Sequence, residues 1–363
     1  MKPKSLISWT LAVLLFCLSL ASALETTCSS CDDCTAKLNG DYDVVRLDTD
    51  ISNHSGVCIE FGASNVEFDC QRHTIDGSEE STPTGIYMDA KSNNEIRNCI
   101  ITEFGWGIHL WRSPQNSLVN NTANSNNYDG IRLSYSNQTI LINNTANSNN
   151  WEGIFLTDAF NNTLTNNTVS NNKYGIYLDD SDYNTLSGNS ANSNGEYGIY
   201  FRDSDYNTLS GNSANSNGEY GIYILRFSTN NTLIGNVANS NNWAGIILSD
   251  YSDYNTLNSN QACFNEDYDL YTDDDLGNSG DNNTCDNTDE WNDDGEDGCT
   301  YDCSAVTTTT TTTTTTIEGD LKGDSNGDGE VSDFELLDYI DLWVSAEVSD
   351  FDLLEAIGNW ASG

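Results

Sequence analysis

Apolar positions recur along the middle of the chain with one long step. A Gly followed by Ile appears at Gly85-Ile86, Gly107-Ile108, Gly130-Ile131, Gly153-Ile154, Gly175-Ile176, Gly198-Ile199, Gly221-Ile222 and Gly245-Ile246; Asp269-Leu270 continues the series. The apolar members are separated by 22, 23, 23, 22, 23, 23, 24 and 24 residues. Two residues past each Ile stands another apolar side chain: Met88, Leu110, Leu133, Leu156, Leu178, Phe201, Ile224 and Leu248. Alternation over three residues describes a short strand with one buried face. A second anchor, clearest in Asn-Thr-Leu, keeps the same step at Ile96, Leu118, Leu141, Leu164, Leu186, Leu209, Leu233 and Leu257. Three residues later stands Asn (Asn121, Asn144, Asn167, Asn189, Asn212, Asn236, Asn260), and eight residues later Asn again (Asn126, Asn149, Asn172, Asn194, Asn217, Asn241, Asn265).

Asn accepts left-handed backbone angles at tight turns, and its amide both donates and accepts, so stacked copies can bond coil to coil. The pattern predicts an all-β right-handed parallel β-helix of about 23 residues per coil, stacked at about 4.8 Å. A leucine-rich repeat shares the period but pairs each strand with helical structure. These repeats, rich in Asn, Ser, Gly and Thr, carry no apolar 3.6 period, which favours the β-helix.

Charge narrows the ligands. Lys+Arg number 13 against Asp+Glu 56, a formal charge of −43. Nucleic acid is excluded as a partner, an anionic membrane is disfavoured, and calcium and neutral or cationic ligands fit. Three His and two Met do not readily build a copper or His-rich zinc site.

Residues 1–23 read as a secretory signal, with Lys2 and Lys4, an apolar Leu11–Leu20 and Ala21-Ser22-Ala23 as cleavage site. No later segment is apolar enough for membrane insertion after cleavage. The expected location is secreted, extracellular or cell-surface associated. Of eleven Cys, Cys17 leaves with the signal. Cys28, Cys31, Cys34, Cys58, Cys70 and Cys99 lie early; Cys263, Cys285, Cys299 and Cys303 lie late. Export favours disulfides over a metal knuckle at Cys28-x-x-Cys31-x-x-Cys34, with pairings open. The two groups fall where an open solenoid needs covering. Residues 24–58 read as an N-terminal cap, 59–272 as the β-helix and 273–303 as a C-terminal cap. A calcium loop is the alternative for the Asp-rich stretch, but no segment there keeps EF-hand spacing. Eight Asn-x-Ser/Thr sequons run from Asn53 to Asn282. Those at ladder positions are expected to be structural.

Residues 304–318 hold ten successive threonines and read as an O-glycosylated linker. In the 319–363 module, Asp324, Asn326, Asp328, Glu330, Ser332 and Glu335 stand at positions one, three, five, seven, nine and twelve of a calcium loop, with Gly329 at the turn. "EVSDFELLDYIDLW" recurs 17 residues later as "EVSDFDLLEAIGNW". Each copy reads as a helix with Ser332 or Ser349 as N-cap. This duplicated loop–helix unit resembles dockerin, which implies a small all-α calcium-binding module attaching to a cohesin-like protein. The second unit departs from the motif at Trp343, Ser345 and Ala346.

On the rod, stacking turns sequence rows into surface rows. One residue past the Gly-Ile pairs come Tyr87, His109, Arg132, Phe155, Tyr177, Tyr200, Tyr223 and Ile247; just before them come Trp106, Tyr128, Trp151, Tyr174, Tyr197, Tyr220 and Trp243. Together they predict an outward aromatic strip suited to a linear polysaccharide, or one that only stabilises the ladder. Four residues past the Ile lies a charged row, Asp158, Asp180, Asp203, Arg226 and Asp250. Carboxylates about 5 or 10 Å apart bracket the glycosidase geometries, and Arg226 would be a lyase base; a solvated row is the alternative.

"FDCQRHTIDG" (Phe68–Gly77), then "GIYM", "NNEIRN", "GIHL" and serial "NTL..N....N....GI.L" resemble the NosD-type β-helix over about residues 40–270. That resemblance implies a place in the wider class of carbohydrate-binding and sugar-hydrolysing right-handed β-helices; the family's name points to copper-enzyme maturation. Three readings follow: a carbohydrate-binding or cell-surface scaffold, a polysaccharide hydrolase or lyase using the Asp row, and a purely structural rod.

Overall fold

A computed structural model of the chain describes residues 23–78, 83–273, 277–295 and 298–304. The signal, most of the linker and the calcium module therefore lie outside the described residues. Between them the repeat forms a parallel β-solenoid. The Gly-Ile segments make an 11-stranded sheet and the Asn-Thr-Leu segments a 12-stranded sheet. A third, four-stranded face continues as single bridges from Thr122↔Thr145 to Thr284↔Tyr301. The coils of the repeat contribute to all three faces, and among its described residues no repeat contains a helix, which removes the leucine-rich alternative.

Register follows the sequence step. Ile108 pairs Ile131, Ile131 pairs Ile154, and Ile154 pairs Ile176. On the second face Leu118 pairs Leu141, Leu141 pairs Leu164, and Leu164 pairs Leu186. These side chains are fully buried and fill the interior as columns of like residues. Each contributes about 1.5–3 kcal/mol.

The asparagines carry the corners between faces. Asn167 Oδ1 accepts from Asn144 N–H (2.9 Å) and Asn144 Nδ2 (3.0 Å). Asn167 Nδ2 donates to Leu141 O (3.0 Å) and onward to Asn189 Oδ1 (2.9 Å). The same pattern runs from Asn121 to Asn283. A second ladder runs from Asn126 to Asn265. Both end on carboxylates: Asn283 Nδ2 donates to Asp293 Oδ1 (2.6 Å), and Asn265 Nδ2 to Asp269 Oδ1 (2.9 Å). A third asparagine row, Asn162, Asn184, Asn207, Asn231 and Asn255, has no counterpart in the two-ladder expectation. It accepts backbone N–H groups of the preceding coil.

One expectation is corrected. The left-handed residue at the first ladder corner is not the ladder Asn but the one before it: Asn120, Asn143, Asn166, then Gly188, Gly211 and Gly235. The corner needs one residue at positive φ, and the next must turn its amide inward. Sequon asparagines therefore sit beside the ladder and not in it; Asn120, Asn143 and Asn166 are exposed. The Gly of each Gly-Ile pair has a separate cause. A Cβ on Gly153 would lie 2.8 Å from both Asn172 Nδ2 and Val169 Cβ, so the strand passes too close to the second ladder for any side chain.

Five disulfides pair within the two cysteine groups. Cys28–Cys34 and Cys31–Cys58 pin an eight-residue helix (Cys31–Leu38) beside the first strands, and Cys70–Cys99 staples adjacent coils. Cys263–Cys303 and Cys285–Cys299 close the far end around buried Trp291. The 24–58 and 273–303 segments also supply strands to the same sheets, from Glu25–Cys28 to Thr288–Asp289. Among the described residues no helix is long and apolar enough to cross a membrane.

Candidate functional site

The Gly-Ile sheet carries the aromatic strip. Phe155, Tyr177, Tyr200 and Tyr223 stack in line at 4.8, 4.5 and 5.5 Å between centroids. Beside them Tyr174, Tyr197 and Tyr220 stack at 5.2 and 5.3 Å. The rows touch edge to face, as at Tyr197–Tyr200 (5.1 Å) and Tyr220–Tyr223 (4.8 Å). Arg132 extends the inner row over Phe155 at 4.5 Å, and Lys173 lies over Trp151 and Tyr174 at 5.1 and 4.8 Å.

Exposure differs between the rows. The inner row, expected to face outward, is largely covered by its own stacking: Phe155 and Tyr177 are each 8% exposed. Trp151 and Trp243 are 47% and 49% exposed. Burial raises the tyrosine pKa values, so these phenols stay neutral. A separate pair at the strand-end turns, Tyr183 and Tyr206, stacks at 5.0 Å with planes 3° apart and lies open to solvent.

The expected outer row is not one register row. Trp106 pairs Thr84, Glu152 pairs Tyr174, and Tyr220 pairs Ala244. Two coils thus carry Asp129 and Glu152 where others carry rings, while Tyr128, Trp151 and Trp243 are one residue out of step. The spacing gives little sign of these acids, because an aromatic stands next to each and completes the apparent row. Their one sequence signal is acidic residues directly before Gly130 and Gly153.

Asp129 and Glu152 lie in a cavity of about 260 Å3 walled by Trp106, Tyr128, Trp151 and Phe155. They are 2% and 6% exposed. Arg132 Nη1 holds Asp129 Oδ2 at 3.1 Å, and Arg132 Nε donates to Ser134 Oγ at 3.2 Å. Burial first, then the hydrogen bond and charge of Asp129, push the Glu152 carboxyl up to about 9. It is therefore protonated at neutral pH, a donor held in a partly apolar cleft beside Asp129. Neighbouring His109 is pushed down to about 4 by burial and then by Arg132.

The charged row has another setting. Asp158, Asp180, Asp203, Arg226 and Asp250 all occupy left-handed turn positions at the ends of strands. Asp180, Arg226 and Asp250 are exposed, and Arg226 Nε lies 3.5 Å from Asp203. The tighter pair is one residue earlier, where Arg202 clasps Asp179 with two contacts of 2.6 Å. None of the five row members lines the Asp129–Glu152 cavity. The one cluster with metal-ligand spacing among the described residues is Cys31, His54 and Cys58. Its two sulfurs are joined to each other, so it offers no thiolate.

Comparison with known proteins places the architecture. The profile described as periplasmic copper-binding protein (NosD) matches residues 40–212, and that described as right handed beta helix region matches residues 175–327. The chain is a right-handed parallel β-helix protein. No curated protein matches its sequence. Among solved structures it is similar to the mannuronan C-5 epimerase AlgE6 A-module of Azotobacter vinelandii (17% identity, 68% of this chain and 80% of that one, TM-score 0.56). It is also similar to the Dettilon tailspike protein gp208 (18%, 72% and 58%, TM-score 0.58). A third is DFA-IIIase from Arthrobacter chlorophenolicus A6 without its lid (13%, 70% and 74%, TM-score 0.55). At these identities the likeness is one of fold. Disulfides and the NosD match fit an extracellular or periplasmic setting.

Proposed function

We propose that the protein is an exported carbohydrate-binding rod whose Gly-Ile face tracks a glycan chain. The carrying observation is the strip of stacked rings, continuous from Phe155 to Tyr223 on the inner row and from Tyr174 to Tyr220 on the outer one. Stacked tyrosines turn their edges and hydroxyls outward to hydrogen-bond a sugar chain, and the open rings of Trp151 and Trp243, 47% and 49% exposed, can take its apolar C–H faces. Relatives in fold bear names that refer to mannuronan and to a tailspike, which supports a glycan partner. A second reading, modification of that glycan, is favoured by the Asp129–Glu152 cleft beside the strip more than by the solvated Asp row. A protonated carboxyl next to Arg132 is suited to general-acid work. A purely structural rod is the third.

One screen separates them. The full chain is tested on insoluble and soluble polysaccharides for pull-down and for new chain ends. Tyr197→Ala with Tyr200→Ala is expected to weaken binding about tenfold or more while the solenoid's circular dichroism is kept. New chain ends that vanish in Glu152→Gln, with binding retained, establish modification. Binding without cleavage leaves a binding rod, and neither outcome leaves a structural one.

For the tail we propose calcium at Asp324, Asn326, Asp328, Glu330, Ser332 and Glu335, and attachment to a cohesin-like protein. Six oxygen-bearing positions at EF-hand spacing support it. Calorimetric titration of the full chain should show one calcium site that Glu335→Gln weakens; no heat in either chain sinks the assignment.

A further inference from the structure

Beyond Tyr220 and Tyr223 both aromatic rows are interrupted. Ala244 stands where the coils on either side place Tyr220 and Tyr268, and Ile247 stands between Tyr223 and Tyr271. Both rows lose a ring on the same coil. The flanking rings are therefore two strand spacings apart, about 9–10 Å. A cavity of about 440 Å3 opens there, floored by Ala244 and Ile247. Trp243 walls one side, edge to face with Tyr220 at 5.7 Å.

We infer that this notch is a subsite for one pyranose ring bearing an ammonium group, such as a residue of a deacetylated amino-sugar polysaccharide. The inference rests on the glycan-binding reading and names the chemistry of one place on it. In the inner row from Phe155 to Tyr223 an aromatic ring fills each layer at 4.5–5.5 Å from its neighbours. A six-membered sugar ring taking the missing layer stacks on both flanks at that distance. Charge selects among sugars. Asp267 and Asp289 line the cavity, and among the described residues no Lys or Arg does. Aromatic faces attract a cation, and two carboxylates accept its N–H groups. A uronate would meet ring faces and carboxylates of its own sign, on a chain of formal charge −43.

The probe is a chitosan trimer, compared with its N-acetylated form and a neutral glucan trimer, by calorimetry in 0.3 M salt with the full chain. Deacetylated trimer is expected to bind at least about tenfold more tightly than either. Ala244→Tyr with Ile247→Tyr completes both rows without changing net charge. It is expected to abolish that preference while polymer binding on the Phe155–Tyr223 strip persists, which separates the notch from diffuse attraction to an acidic protein. Asp267→Asn with Asp289→Asn, a variant that leaves the rings in place, is expected to bring the trimers within about twofold of each other. Equal binding of the three trimers by the wild type, or an unchanged preference in the filled variant, overturns the inference. If polymers bind the strip while no trimer finds the notch, the notch assignment fails alone; if nothing binds anywhere, the glycan reading fails with it.

Discussion

Asn189→Leu is expected to cost the rod about 3–5 kcal/mol, a large share of the 5–15 kcal/mol that a folded domain has to lose. Asn189 Oδ1 accepts both the N–H and the Nδ2 of Asn167 at 2.9 Å. Its own Nδ2 serves Leu164 O at 2.9 Å and Asn212 Oδ1 at 2.9 Å. Leucine has similar bulk and none of these bonds. It leaves the Asn167 N–H buried without its partner, at about 1–3 kcal/mol, and removes one bond each from Asn167 Nδ2, the Leu164 carbonyl and Asn212 Oδ1. The comparison is Asn171→Gly. Asn171 is exposed at φ 57°, and its side chain reaches only Ser170 Oγ at 3.3 Å. Glycine takes that backbone angle freely, so the change stays within about 0.5 kcal/mol. Denaturant midpoints of the two variants, read against the wild type, decide it. A loss below about 1 kcal/mol in Asn189→Leu would show that the ladder is ornamental.

The second large effect is on pH dependence. Folding holds a proton on Glu152 up to about pH 9, whereas the unfolded chain releases it near 4.5. Between those values the unfolded state binds fewer protons, so stability falls as pH rises, by about 1.4 kcal/mol per unit from this group. His109 works from the other side. Its folded value near 4 lies below the ordinary 6.5, so stability falls as pH drops through that window. The two slopes oppose each other from about pH 4.5 to 6.5, and Glu152 alone acts above it. Glu152→Gln mimics the neutral acid and can still donate to Asp129. It is expected to be more stable than the wild type by about 2–5 kcal/mol at pH 8, with the difference vanishing near pH 4.5. Parallel pH curves for the two proteins would show that Glu152 is not held protonated. A stabilising substitution in the cleft would be the mark of a place where stability was given up for function.

The solenoid was legible because its constraint is one-dimensional. A step of 22 to 24 residues with Ile, Leu and Asn in fixed places allows few other structures. The surface was harder to read, because a one-residue offset in a corner does not disturb the core. Trp151 and Trp243 stand one residue outside the row that holds Glu152 and Ala244. That offset hid both the acid pair and the gap in the strip. The corner residues were misplaced by one for a similar reason. Asn120-Asn121 and Asn143-Asn144 are identical letters with opposite jobs, one bending the backbone and the other bonding within it. Disulfide pairing became readable only once the coils brought residues such as Cys70 and Cys99 side by side.

Asp293 and Asp269 give the ladders an ending with a direction. An amide passes a hydrogen bond along because it can receive and give at once; an ionised carboxylate only receives. Asp293 takes bonds from Asn283, Trp291 and Thr300 and forwards none. The growth rule written into each turn is thus cancelled by one change of side-chain chemistry. A column of identical amides without such a terminator would offer its last rung as a template to the next molecule, which is how fibres elongate. The same atoms that make the rod self-consistent are kept from making it endless.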